Sequence, residues 1–321
     1  MTLLSRVRRT LHERDLLPPG TRVVVACSGG PDSVSMLHAL SELAVRCRLD
    51  LRVCTVDHGL RPEAPREVDL VRRLSVSLGL PFETYGLHLQ KGAGLQERAR
   101  QARYAWLAEV AKRYGATRIA VGHTRDDQAE TVLGRMLRGA GLDGLSAISP
   151  LREDGVVRPL IDCDRGQVLG YLRQHRLEFT QDPSNCDLTY TRTRIRHSIL
   201  PMLRSEDGRI AEHLADLADD ARDQRALIGQ LAEDLMATLD PGRPGAVDLL
   251  RSASGPRRRL VLRHWLRGKL DCIPGRPHVQ QLEKLVLSGG EVRIPGHRQV
   301  TIDAQGALMV SQMLEREERS N

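Results

Sequence analysis

The sequence predicts an α/β fold: a parallel sheet flanked by helices, then a helical linker and a small α+β C-terminal domain. Short β-branched runs alternate with amphipathic helical patterns through the first half of the chain, which is typical of strand–helix–strand units. After about residue 245, helical patterns are followed by alternating apolar and polar residues, which predict short strands. We therefore expect a sheet domain at 1–205, a helical linker at 206–245 and a C-terminal domain at 246–321.

The composition is that of a globular protein with a polyanionic partner. Of the 321 residues, 40% are hydrophobic, and the formal net charge of +7 favours nucleic acid as a partner. Arginine dominates the 48 basic residues, so a single arginine is weak evidence for a site. No apolar run is long enough to span a bilayer, so we expect a cytoplasmic protein with no membrane partner. The six cysteines form no CxxC pair, which argues against a zinc site or a disulfide framework.

The first strand leads into a glycine-rich loop at a helix start. A valine run at 23–25 predicts a buried strand, and apolar residues from 34 to 43 recur at helical spacing. Glycines let backbone N–H groups approach an anion, and the helix N-terminus adds unpaired donors. The loop carries an aspartate and no lysine, unlike the Walker loop, which suits Mg²⁺ bridging the loop to phosphates. The predicted phosphate-binding residues are Ser28, Gly29, Gly30, Pro31, Asp32 and Ser33.

Further strands and helices alternate along the chain. Short apolar runs bounded by turn residues predict three more strands, at 51–56, 82–87 and 118–122. Helical spacing predicts helices at 64–78, 95–114, 164–175 and 207–238. Ligands bind at the carboxyl ends of parallel strands. We therefore expect the glycine-rich loop, the pair Asp57 and His58, and residues 123–130 to form one site.

Three acidic residues fall within one helical turn after the fourth predicted strand. Glu130 shares a helix face with both Asp126 and Asp127 because of its spacing. Acids at a helix start also complement the helix dipole, which is the structural alternative. Like charges this close are costly without a cation, so the cluster suits Mg²⁺ or an ammonium group.

The C-terminal part contains helical patterns and a predicted hairpin. The helical patterns lie near 247–268 and 278–288. Alternating residues at 292–294, 300–302 and 307–310 predict a small hairpin packed on those helices. Basic residues cluster on the first pattern, at Arg257, Arg258, Arg259, Arg263 and Arg267.

Several motifs carry a family resemblance. The hexapeptide from Ser28 to Ser33 resembles the SGGxDS PP-loop of the N-type ATP pyrophosphatases. Residues 122–131, GHTRDDQAET, look like the second signature of the tRNA(Ile)-lysidine synthetases. Further similar motifs occur in the family's order, as DHGLR at 57–61, ARQARY at 99–104, RGAGLDGL at 138–145, DPSN at 182–185 and arginines at 192, 194 and 196. The resemblance covers about residues 20–205, and it departs from the family at Thr193, where asparagine is usual.

The resemblance implies an ATP-dependent reaction on tRNA. The wobble cytidine of a tRNA(Ile) with a CAU anticodon is adenylated on its 2-carbonyl oxygen, and the ε-amine of free lysine then displaces AMP. The product, lysidine, pairs with A instead of G, and the tRNA accepts isoleucine instead of methionine. ATP and Mg²⁺ are the implied cofactors, and the homodimer state is left open.

The family resemblance implies roles for individual residues. The loop from Ser28 to Ser33, with Asp57 and His58, would bind ATP, and Asp32 and Asp127 would hold Mg²⁺. The predicted catalytic residues are Asp32, Asp126, Asp127, Glu130, Arg192 and Arg194. The predicted tRNA-binding residues are Arg100, Arg103, Arg196, Arg257, Arg258 and Arg259.

Two other function classes stay open at this stage. Another PP-loop tRNA-modifying enzyme, such as a cytidine thiolase, would be expected to carry paired cysteine motifs, which this sequence does not contain. A non-catalytic RNA-binding module fits the positive charge but leaves the glycine-rich loop and the acid cluster unexplained.

Overall fold

The computed structural model describes residues 1–57, 64–87, 92, 94–180, 191–270 and 275–312. The predicted ATP-binding residue His58 and the motif at 182–185 lie outside these residues. The chain divides into two compact units, residues 1–222 and residues 223–321. The division falls inside one long helix, whereas the sequence suggested a separate linker at 206–245.

The first unit is built on a five-stranded parallel sheet, which confirms the predicted α/β class. Its strands are β1 (Arg22–Ala26), β2 (Asp50–Asp57), β3 (Phe82–Gly86), β4 (Arg118–Ala120) and β5 (Val156–Val157). They lie in the order β3-β2-β1-β4-β5, and every pair is parallel. The two-residue β5 is too short to give a periodic signal, and the sequence did not predict it.

Helices cover both faces of the sheet. The main helices are α1 (Leu3–Glu13), α2 (Pro31–Cys47), α3 (Ala64–Ser77), α4 (Leu95–Tyr114), α5 (Arg125–Met136), α6 (Leu142–Leu145) and α7 (Arg165–Gln174). Buried residues of α1, α2 and α7 pack on one face, and those of α4 pack on the other. The sheet is covered on both sides, as its continuous apolar strands require.

A helical arm follows the sheet region. It consists of α8 (Thr191–Arg194), a π-helical turn (Ile195–Ile199) and α9 (Leu200–Glu206), and the long helix α10 (Ile210–Leu239) comes next. Leu200 of the arm and Leu214 of α10 share a small buried cluster with Val132 of α5. The arm is therefore packed against the helix that carries the acid cluster.

Strand order changes direction between β1 and β4, and this point positions the site. The chain leaves β1 through the glycine-rich loop and leaves β4 through residues 121–124. The two exits are in close contact, because a Cβ at Gly122 would lie 3.1 Å from the backbone nitrogen of Ser33. Such a change in strand order is where open α/β sheets bind ligands.

The second unit is a small α+β domain. Its helices are α11 (Ala246–Ser252), α12 (Gly255–Arg267) and α13 (Arg276–Ser288), and its strands are β6 (Glu291–Ile294), β7 (Arg298–Ile302) and β8 (Leu308–Gln312). The strands form an antiparallel sheet in the order β6-β7-β8, so the three segments predicted to form a small hairpin make a three-stranded sheet. A buried core that includes Leu262, Trp265 and Val300 joins helices and sheet. Across the residues described here, no helix is both long and apolar enough to cross a membrane.

Candidate active site

The glycine-rich loop forms a cradle of backbone N–H groups at the start of α2. Gly29 has φ +82°, a conformation that favours glycine. Gly30 caps the helix without a side-chain hydrogen bond, so the first N–H groups of the helix have no capping side chain. The Ser33 hydroxyl accepts a hydrogen bond from the Ser28 N–H at 3.1 Å and donates one to the Gly30 carbonyl at 3.0 Å. The loop is therefore held in the shape that anion binding needs.

The three predicted acids lie on the first turns of α5 and are all buried. Thr124 caps the helix, and the Asp127 Oδ2 atom accepts from the Thr124 N–H at 2.9 Å. This capping box leaves Asp127 Oδ1 directed at other partners. Glu130 takes no part in the cap, and both of its carboxylate oxygens accept from arginines instead.

Two arginines of the helical arm neutralise Asp127 and Glu130. Arg192 donates to Asp127 Oδ1 at 2.6 Å and to Glu130 Oε2 at 3.0 Å. Arg196 donates to Glu130 Oε1 at 2.5 Å and to Asp127 Oδ1 at 3.1 Å. The two arginines are four residues apart and so share one face of the arm. Burial raises the pKa of Asp127, but Arg192, the hydrogen bond from the Thr124 N–H and Arg196 together hold it below its usual value.

Asp126 makes a different set of contacts from the other two acids. Its Oδ2 atom accepts from the Arg165 N–H at 2.8 Å, at the N-terminal end of α7. Its Oδ1 atom accepts from Arg204 of α9. Both oxygens are thus used to fasten α7 and the arm to α5, so Asp126 has the contacts of a positioning residue.

Asp32 lies at the first turn of α2 and faces the acid cluster. Within the part of the chain that the structure describes, it makes no hydrogen bond or ion pair. Burial, together with the charges of Asp127 and Asp126, raises its pKa to about 6, against the opposing effect of Arg165 and Arg196. A carboxylate in this state would gain stability from an added cation.

His123 ends the β4 exit beside these acids and is neutral. Burial, the largest cause, and the nearby cations lower its pKa to about 4. Its Nδ1 atom lies 3.3 Å from Nε of Arg158, a guanidinium that can only donate. The proton of the neutral ring therefore belongs on Nε2, and Arg158 fixes that tautomer.

The remaining predicted residues lie elsewhere on the two units. Arg194 is two residues from Arg192 on the arm, and its Nη2 donates to Thr191 Oγ1 at 3.1 Å. Asp57 ends β2, where its carbonyl accepts from the Leu87 N–H at 2.7 Å. Arg100 and Arg103 lie on α4 next to the ring of Tyr104.

The three predicted C-terminal arginines have different surroundings. Arg257 is exposed. Arg258 is largely buried, pairs with Glu283 at 3.2 Å and donates to the Leu250 and Ala253 carbonyls, so it holds α11 and α13 together. Arg259 pairs with the same Glu283 carboxylate at 3.1 Å.

Sequence reasoning missed the contacts made by Arg158 and Arg204. In an arginine-rich chain neither residue stands out, and both meet the site only through the fold. Among the described residues, no group of three or more His, Cys, Asp or Glu side chains is arranged to hold a metal ion. A lone Asp32 still suits Mg²⁺, which typically uses one or two carboxylates together with phosphate oxygens.

Comparison with known proteins gives two family matches. A family model described as a PP-loop domain matches residues 3–203. A second, described as the TilS substrate binding domain, matches residues 246–306. A U34-tRNA thiolase from Methanococcus maripaludis, solved with its 4Fe-4S cluster, has a similar fold, with a TM-score of 0.59, 19% identity, and coverage of 68% of this chain and 76% of that one.

Curated relatives named tRNA(Ile)-lysidine synthase are much more similar in sequence. The protein of Geobacter sulfurreducens is 38% identical over 316 residues, which cover 93% of this chain and 67% of the relative. The protein of Rhodopseudomonas palustris is 44% identical over 257 residues, which cover 75% of this chain and 73% of the relative. That of Symbiobacterium thermophilum is 42% identical over 74% of this chain, which spans 51% of that relative's length. The chain therefore belongs to the tRNA(Ile)-lysidine synthase family of PP-loop proteins.

Proposed function

We propose that the protein joins free lysine to the wobble cytidine of tRNA(Ile) with a CAU anticodon, using ATP. The observation that carries this proposal is the buried Asp127–Glu130 pair beside the glycine-rich loop, because such an arrangement suits a cationic amine next to phosphates. The names of the relatives support the same reaction. Such a protein would act in the cytoplasm, where its tRNA is found.

The loop from Ser28 to Ser33 would bind ATP. Its backbone N–H groups and the N-terminal end of α2 would stabilise the pyrophosphate as it leaves. The cytidine 2-carbonyl oxygen attacks the α-phosphorus, the bond to pyrophosphate breaks, and AMP stays on the cytidine. The C2 carbon of the cytidine, a poor electrophile before this step, then carries AMP as a good leaving group.

Asp32 would hold Mg²⁺ on the ATP phosphates. Its pKa, raised to about 6 by burial and by neighbouring acids, fits a carboxylate that is completed by a cation. When bound, the metal would neutralise charge on the phosphates. The structure supports Asp32 for this role better than Asp127, whose two oxygens already accept hydrogen bonds.

Asp127 and Glu130 would receive the lysine. A lysine ammonium carries the same charge as the guanidiniums of Arg192 and Arg196, so it can take over part of their contacts with the acids. The amine must lose a proton before it attacks, because its reference pKa is about 10.4. A carboxylate of this pair is the nearest acceptor for that proton. An arginine released from the pair would be free to contact phosphate.

The C-terminal domain would dock the tRNA. We propose catalysis by residues 1–205, a helical linker at 206–245 and docking by 246–321, which the match to a substrate binding domain at 246–306 supports. Arg258 has structural contacts, so exposed residues of α12 are better candidates for phosphate contact. Arg259, Arg263 and Arg267 recur at intervals of four and are exposed on one face of that helix.

The reaction itself is the first test. With ATP, lysine and an unmodified CAU-anticodon tRNA(Ile) transcript, we expect multiple-turnover formation of AMP and pyrophosphate only when all three substrates are present. Mass spectrometry of the digested tRNA should show a cytidine that carries lysine. A sulfur-containing cytidine without lysine would support the thiolase alternative instead, and transcript binding without any product would support the non-catalytic one.

Asp32→Asn should abolish adenylation and stabilise the metal-free protein. We expect at least an about 100-fold lower rate of pyrophosphate release, because the charge that holds Mg²⁺ is gone. The Asp32 carboxylate opposes folding above its raised pKa of about 6, so the variant should melt at a higher temperature at pH 7.5 without Mg²⁺. The difference should narrow as the pH falls through 6, because wild-type Asp32 then becomes protonated.

The control for this test is Asp216→Asn, at an exposed position on α10. It should change neither rate nor melting temperature. Adenylation by Asp32→Asn at the wild-type rate would contradict a role at the phosphates.

Glu130→Gln should impair use of lysine and spare adenylation. The substitution keeps size but removes the charge that attracts the amine, so the KM for lysine should rise by about tenfold or more. Single-turnover pyrophosphate release without lysine should stay close to wild type. The matched control is Glu212→Gln on the exposed side of α10. Equal loss in both steps would mean that Glu130 supports the fold of the site rather than lysine binding.

Arg263→Gln combined with Arg267→Gln should weaken tRNA binding and leave maximal turnover unchanged. Each lost phosphate contact should flatten the dependence of log Kd on log salt by about 0.7–0.9. Arg258→Gln serves as the contrast, because its contacts with Glu283 and the Leu250 carbonyl predict a lower melting temperature. Unchanged binding by the double variant would contradict docking through this face of α12.

A further inference from the structure

Four arginines gather at one edge of the first unit, and we name them the arginine cluster. Its members are Arg100, Arg103, Arg152 and Arg158. Three of their guanidiniums lie over the ring of Tyr104, at 5.7 Å for Arg100, 5.5 Å for Arg103 and 5.1 Å for Arg152. The Tyr104 ring packs against the buried residues of α4, which fixes its place. One anchored aromatic ring therefore gathers three cations by cation–π attraction.

The arginine cluster has more positive than negative charge. Arg100 pairs with Glu97 at 3.6 Å, and Arg152 pairs with Asp154 at 2.6 Å. Among the described residues, no carboxylate lies within ion-pair distance of Arg103 or Arg158.

Arg158 is the most costly member of the arginine cluster. Its side chain is only 4% exposed. Burial, and the like charges of Arg152 and Arg100, lower its pKa. Its guanidinium donates to the Ser149 carbonyl and to His123 Nδ1, but neither partner is negatively charged, so the buried charge favours a bound anion.

The arginine cluster lies beside the proposed active site but away from the glycine-rich loop. Arg158 contacts His123, which stands next to Asp127. The cluster belongs to α4 and to the chain flanking β5, whereas the loop opens α2, which packs on the opposite face of the sheet. An anion at the cluster is thus adjacent to the reacting groups without being in the loop that would bind ATP.

We propose that the arginine cluster binds a phosphodiester of the tRNA next to the target cytidine, with Tyr104 as the positioning residue that holds the guanidiniums together. The proposal rests on the proposed function, which requires the cytidine to reach the Asp127–Glu130 pair while its backbone stays outside. It adds Tyr104, Arg152 and Arg158 to the residues expected at the RNA. Phosphate chemistry is common to RNA and ATP, and the location beside His123 favours RNA.

The experiment compares tRNA and ATP binding in matched variants. Tyr104→Leu removes the aromatic ring, Tyr104→Phe keeps it, and Arg152→Gln removes one guanidinium. Arg9→Gln, at an exposed position paired with Glu13 on α1, is the control for loss of a positive charge. The Kd of the unmodified tRNA(Ile) transcript is measured across salt concentrations, and the Kd of ATP is measured without tRNA.

We expect Tyr104→Leu and Arg152→Gln to weaken transcript binding by about tenfold. The salt dependence of Arg152→Gln should flatten by about 0.7–0.9. Tyr104→Phe and Arg9→Gln should bind like wild type, because the first keeps the ring and the second lies outside the arginine cluster. ATP binding should be unchanged in all four variants.

Two results would overturn the proposal. Wild-type transcript affinity in both Tyr104→Leu and Arg152→Gln would rule out an RNA contact. Weaker ATP binding with unchanged transcript binding would assign the arginine cluster to the nucleotide instead. Thermal melts identify an unfolded Tyr104→Leu, in which case Arg152→Gln alone decides. The binding measurement does not depend on turnover, so a wild-type protein that binds the transcript without forming lysidine would fail the proposed function only.

Discussion

The pairing of two buried carboxylates with two arginines is the interaction on which the rest of the site depends. Asp127 and Glu130 are buried at the first turns of α5, where two unneutralised negative charges would strongly destabilise the fold. Arg192 and Arg196 supply the compensation, and they come from a helical arm far along the chain. The arm is thus held against the sheet domain by the same charges that we propose for substrate binding.

This dual use has a chemical consequence. In the proposed function, a carboxylate pair that already accepts guanidiniums is preorganised for a cationic amine, because the sign of the charge is the same and the carboxylates are already held in place. Asp126 has structural contacts instead, because its two oxygens accept from the Arg165 N–H of α7 and from Arg204 of the arm. Asp32 lacks such partners among the described residues, and it is the carboxylate with a raised pKa where the glycine-rich loop meets α2. We therefore propose different roles for Asp32, Asp126, Asp127 and Glu130 because their contacts differ.

Arginine is so abundant in this chain that identity alone says little about a role. Arg258 and Arg204 look like surface charge in the sequence, yet one joins two helices of the second unit and the other binds a buried aspartate. Arg158 shows the opposite case, a buried guanidinium with no carboxylate within ion-pair distance among the described residues. Contacts, rather than residue type, separate structural arginines from those suited to bind phosphate.

Local sequence patterns were enough to predict the α/β class, the glycine-rich loop, the acid cluster and most element positions. These features are local: hydrophobic periodicity, glycine and proline at a helix start, and acids within one turn all lie within a few residues of one another. Family motifs extended this to the proposed reaction. The folded structure alone shows which partners each acid contacts, that Arg204 contacts Asp126 and Arg158 contacts His123, and that β5 joins the parallel sheet. Those outcomes depend on contacts between segments tens of residues apart, and on burial that sets the cost of each charge, which no local pattern encodes.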